Sequence, residues 1–362
     1  MKETTTMPLA DAVSDQDKPV PGRSPLAWLK NLRENQAHIF LLVAMMLVSL
    51  LLMDTTTWLV LTISGLAMGA MLFLMASGMT LTFGLMSVLN LAHGAFISLG
   101  AFAGGTVLVY WLNDYASHSS IWMNLVAILP ALLFAAFVAA AVGLVFEKLV
   151  IKPVYGDHLK QILVTVGGAI ILMQLIEVVW GPNEIPLSRP ESLRGALSVP
   201  ESWPLMGGMV LEKYRLVAVI LGVAIYGAML WVIDHTRIGI LIRAGVESRE
   251  MVEVQGYRIH LLFLGVFVAG SALAGLGGVM WGMYKEILTP HMGDEMMISV
   301  IVVIILGGLG SIRGCFYGAM LVGLINLYVG FIEPRVAAVA TVGLMVGVLM
   351  WRPQGLIPVI KV

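Results

Sequence analysis

From residue 38 onward the chain is a succession of apolar runs, most of them close to the roughly 20 residues that a helix needs to cross a bilayer. Ten can be marked: 38–53, 58–84, 91–112, 121–146, 162–180, 215–233, 261–284, 296–310, 316–332 and 336–351. None alternates polar with apolar residues over about ten positions, as the strands of a membrane barrel do, so the spans are read as helices. Charged residues make up only 12% of the chain, about half the share of a soluble domain. The expected fold is therefore all-α, a polytopic helical membrane protein of about 8–10 transmembrane helices. The region 58–112 is so continuous that its turn near Ser87 reads equally as a loop or as a broken, re-entrant helix.

Residues 1–37 are different in kind. They are rich in Thr, Asp, Pro and Lys, with Pro19, Pro21, Gly22 and Pro25 close together, and so are expected to form a disordered cytoplasmic tail. Residues 38–57 lack a small-residue cleavage pattern and are read as an extra N-terminal span, not a signal peptide. With the tail placed inside, fifteen of the 21 basic residues fall on that side, the asymmetry that the positive-inside rule predicts. Both termini and the polar island 234–260 are then cytoplasmic, while 113–120 and the Pro-rich 181–214 lie outside.

Within the spans, Asn90 and His93 are three apart beside Gly94 and near Ser98, so they share a helix face or line a break. Polar groups in hydrocarbon are costly unless they pair or face a cavity, which makes these four candidates for a translocation path. Tying two helices together is the plainer use of the same residues. Gln174 and Asn326 lie in other spans, and Glu177 near the end of one. Gly270, Ala274, Gly278 and Gly282 recur at every fourth position and form a flat stripe for close helix packing. Gly65 with Gly69, and Gly100 with Gly104, repeat the pattern.

Signatures of catalysis are missing. The sequence has no G-x-S-x-G, H-E-x-x-H, CxxC or Walker A motif, so no enzyme, metal site or ATP hydrolysis is expected of this chain. Cys315 is the only cysteine, which excludes an intramolecular disulfide. Nothing points to a nucleic-acid partner. The one compact charged segment, Arg243–Tyr257, reads as a short helix of about two turns over 247–255. Glu247 and Glu250 would stand near its start, Arg249 and Glu253 would pair, Gly256 would end it, and Met251 with Val254 would offer apolar contact.

Four separated stretches occur in one order: Ser87-Val-Leu-Asn-Leu-Ala-His-Gly-Ala-Phe96, Glu147-Lys148 with Lys152-Pro153, Arg243-Ala244 with Arg249-Glu250 and Gly256, and Gly307-Gly-Leu-Gly-Ser-Ile-Arg-Gly314. In this they resemble the integral-membrane permease subunits of branched-chain amino acid ABC importers, from about residue 60 to the C-terminus. The resemblance implies a type II ABC importer-like permease domain over 58–362, with a cytoplasmic coupling loop at 234–260 that rests on an ATPase. It further implies a bacterial inner-membrane location, a second related permease, two cytoplasmic ATPase subunits that bind the ATP, and an extracytoplasmic substrate-binding protein. No cofactor falls to this chain. Related systems carry urea or short amides. The chain departs from the pattern in its extra N-terminal span and in Val252 and Glu253, where relatives often carry two small residues. A self-contained secondary transporter or channel for a small solute such as urea or an amide is the alternative. It needs intramembrane acid or base groups, of which the marked spans are nearly bare.

Overall fold

The computed structural model describes residues 37–86, 90–198, 200, 208–247 and 249–357. Apart from Ala37, the expected tail lies outside these, as does Ser248 in the island.

Each of the ten apolar runs holds a helix. Eight helices among the described residues are long and apolar enough to cross a membrane, and the chain is a multi-pass membrane protein. In chain order the helices are α1 (Ala37–Leu52), α2 (Thr55–Met86), α3 (His93–Thr106, continued by a wider turn over Val107–Trp111), the short α4 (Asn113–Ala116) and α5 (Ile121–Phe146). They continue with α6 (His158–Trp180), α7 (Lys213–His235), α8 (Arg237–Glu247), α9 (Arg249–Val254) and α10 (Ile259–Lys285). The last three are α11 (Met292–Gly307), α12 (Ile312–Ile332) and α13 (Ala337–Trp351). The two of the ten outside this count, α1 and α11, have 16 residues each, while α3 and α13 reach spanning length with the turns that adjoin them.

The centre is α2, with α10 and α12 packed along it and α3 against α10. Small residues make this possible. A Cβ on Gly69 would lie 2.8 Å from Ala319 O, and one on Gly270 would lie 2.7 Å from Gly78 O, so the backbones themselves are in contact. Gly278 faces Ile97 O and Ala101 N of α3, and Gly282 faces Leu288, while Ala274, between Gly270 and Gly278, is fully buried. Gly100 lies on Gly275 and Gly104 on Val279. The stripe thus turns from α2 at one end of α10 to α3 further along. At Gly307–Gly314 the chain makes a tight turn between α11 and α12, with positive φ at Gly308 (105°) and Gly310 (81°) and the Ser311 side chain accepting from Gly314 N at 3.1 Å.

Two differences from the expected layout matter. The island is not a loop with one helix: α8 occupies its first half, because Ile238–Ile242 is apolar yet too short to span. At the opposite end of the bundle, two small antiparallel ladders join β1 (Ile185–Pro186) to β4 (Ile287–Leu288) and β2 (Ala196–Ser198) to β3 (Val210–Glu212).

Candidate functional site: two half-helices and an exposed helical knob

Although α2 runs on to Met86, His93 Nε2 lies 2.8 Å from Met75 O, roughly three turns, or about 16 Å, before α2 ends. α3 therefore starts beside the middle of α2, part-way through the bundle. The turn expected near Ser87 lies outside the described residues, which resume at Asn90. Asn90 Oδ1 accepts from Ala92 N at 3.1 Å and the Asn90 carbonyl from His93 N at 3.1 Å, which builds the turn into α3. Asn90, His93 and Ser98 are all buried.

The N-terminus of α11 arrives at the same depth from the other side. Gly293 N donates to Ser98 Oγ at 2.9 Å, and a Cβ on Gly94 would lie 3.0 Å from Gly293 O and 2.9 Å from Asp294 Oδ1. Two broken helices thus start side by side inside the bundle and run in opposite directions, with the four candidates Asn90, His93, Gly94 and Ser98 gathered at the seam. The marking of the eighth span at 296–310 left Asp294 and Glu295 outside it; the structure puts both in the first turn of α11, where both are exposed on the isolated chain. A second polar group stands nearby on α6, where Gln174 Nε2 lies 3.3 Å from Glu177 Oε2 and Glu177 Oε1 lies 3.5 Å from His291 Nε2. No group of three or more His, Cys, Asp or Glu among the described residues could hold a metal ion.

The island end carries α9, which projects from the bundle. Met251 is 63% and Val254 85% exposed, whereas Val252 on the opposite face is buried at 3%. Gly256, at φ 86°, ends the helix, with Gly256 N donating to Glu253 O at 2.9 Å and Tyr257 N to Val252 O at 3.3 Å. Glu247 closes α8, and Arg249 and Glu250 open α9, which is shorter than the two turns expected over 247–255. Arg243 Nη1 lies 3.5 Å from Asp234 Oδ1, and Asp234 Oδ2 lies 2.9 Å from Arg313 Nη2, so α8, which leads into the knob, is paired to the end of α7, and α7 in turn to the start of α12.

Residues 61–351 match the family described as branched-chain amino acid transport system / permease component. The chain belongs to this family. Among its curated relatives, the high-affinity branched-chain amino acid transport system permease protein BraD of Pseudomonas aeruginosa is 27% identical over 82% of this chain and 94% of its own length. Permease protein LivH of Escherichia coli strain K12 is 23% identical over 81% of this chain and 93% of its own. The LivM permease protein of Salmonella typhimurium is 25% identical over 78% and 67%. No solved structure matches.

Two residues that hold this permease together were missed in the sequence. Arg189, in the loop between α6 and α7, donates from Nε to Met283 O at 2.9 Å and from Nη2 to Tyr284 O at 2.8 Å. It also pairs with Glu212 and Glu286, each at 3.1 Å, so a cation caps the carbonyl end of α10. Asn124, fully buried at the start of α5, donates to Tyr115 O (2.8 Å) and His118 O (2.7 Å) and accepts from Ser192 N (2.7 Å). Neither signal stands out in a sequence, because Arg189 acts on carbonyls more than ninety residues away and Asn124 joins its neighbouring loop to Ser192, 68 residues on.

Proposed function

We propose that the chain is the membrane-spanning permease subunit of an ABC importer for branched-chain amino acids or related small polar solutes, without enzymatic activity of its own. A second related permease completes the translocation path, two cytoplasmic ATPase subunits drive it, and an extracytoplasmic binding protein delivers the substrate. The seam where α3 and α11 begin, with Asn90, His93, Gly94, Ser98 and now Asp294, borders the path. The island end faces the cytoplasm of a bacterial inner membrane, as the basic-residue count expects. The observation that carries the reading is α9: a short helix with an apolar outer face, held between α8 and α10, with α8 paired through Arg243 to Asp234 of α7, so that a push on it is passed to the spans on either side. The family match and the names of the relatives support the substrate class.

The presence of Asp294 and Glu295 within the bundle favours a second reading, an ion-coupled transporter working alone, because acidic groups at depth are what such coupling requires. One experiment separates the two. In vesicles holding the chain with its ATPase subunits, second permease and binding protein, uptake should need ATP. Met251→Ala and Val254→Ala should each weaken ATPase recruitment about tenfold, if each side chain is buried on docking. Uptake driven by an ion gradient without ATP, unchanged in these variants but lost in Asp294→Asn, would replace the importer with the second reading.

A further inference from the structure

Helices α7 and α10 are joined at one end and apart at the other. At the loop end Tyr214 Oη donates to Met280 O at 2.5 Å, and Gly222 rests on Ala70 of α2. Toward the island end they splay, and between them opens a cleft of about 810 Å³ over Leu81 of α2. Its walls are apolar. Ala228 of α7 and Gly265 and Ala269 of α10 keep it wide, and Leu241 of α8 and Val252 of α9 line its island end. Along α10 it runs from Leu273 to Arg258, about 22 Å by helix rise, which is the depth of one leaflet including its headgroups.

We propose that this cleft holds one acyl chain of an anionic phospholipid from the leaflet at the island end, its phosphate paired with Arg258. This goes beyond the transport function and does not rest on it. The length of the cleft favours a lipid over a helix of a second permease, since a spanning helix needs the full bilayer thickness and Tyr214 shuts the other half. Charge selects the headgroup. Arg258 lines the cleft at its island end, is exposed, and has no carboxylate within ion-pair distance among the described residues. A guanidinium is suited to bidentate contact with a phosphate oxygen pair. The tail would fill the space beneath Val252 and so support the knob from below.

Native mass spectrometry of the full chain purified from membranes in mild detergent tests this, with phosphatidylglycerol and phosphatidylethanolamine as probes added back after delipidation. The wild type should retain one phosphatidylglycerol in preference to phosphatidylethanolamine. Arg258→Gln, a surface change, should reduce that preference about fivefold, the share of one basic residue near a lipid surface. Ala269→Phe should lose the tightly held lipid altogether. An unchanged preference in Arg258→Gln overturns the proposal. So does equal retention by Ala269→Phe, or an Ala269→Phe chain that keeps its lipid but no longer pairs with a second permease, which would make the cleft a helix-docking surface.

Discussion

His93 combines a buried ring with a bond to a carbonyl that belongs to another helix. In α2 the regular ladder already supplies a partner for Met75 O, so the bond from His93 is an addition to a satisfied group, worth about 1 kcal/mol. Replacing His93 by Leu should therefore leave assembly with the second permease intact while uptake falls, because α3 loses its fixed starting point. Co-purification and uptake measured on the same variant check this; loss of both together would make His93 a packing residue only. The polarity of His93 and Asn90 was legible in the sequence because so few polar groups interrupt the spans. Asp294 was not. Its neighbours Met296 and Met297 look like the start of a span, and nothing local shows that the chain has already turned back into the bundle at Thr289-Pro290.

At the scale of elements, the knob is where sequence and structure diverge most usefully. Over 247–255, Met251 would be central and Pro there would break the helix; in the six-residue α9 it lies in the first turn, where Pro is tolerated. Met251→Pro is thus a poor probe, and truncation of the exposed side chains is the sharper one. α8 went unread because Arg237 and Arg243 bracket an apolar stretch of helix-face residues and made the whole island look polar. The long helices were the easy part, since apolar length alone marks them. The contacts that dock loop to helix carry no periodicity. Arg189→Ala shows what is at stake: it leaves the α10 carbonyls at Met283 and Tyr284 without their cation and takes from Glu286 its guanidinium partner, while Glu212 keeps only Arg215. The variant should lose roughly 2–4 kcal/mol, read as a lower melting temperature in detergent, with proteolysis appearing first in 181–212.

For the whole molecule the open quantity is orientation. With Cys315 replaced by Ala, single cysteines at Ser117 and at Gln255, both exposed, should react with impermeant maleimide from outside and from inside respectively. Labelling of both from one face would reverse or refute the assigned topology. Cys315 itself is fully buried, so it should contribute little background even where it is retained.

The seam also bears on how the chain is made. When α3 leaves the ribosome, its first turn has no lasting place in lipid: Gly94 and Ser98 await Gly293, almost two hundred residues further on in synthesis. Until α11 is threaded, Ser98 Oγ lacks the backbone donor it meets in the finished fold, and the beginning of α3 is exposed either to the insertion machinery or to water. The permease therefore completes itself late, and chains stalled or cut before residue 293 should be the ones that membrane quality control removes fastest.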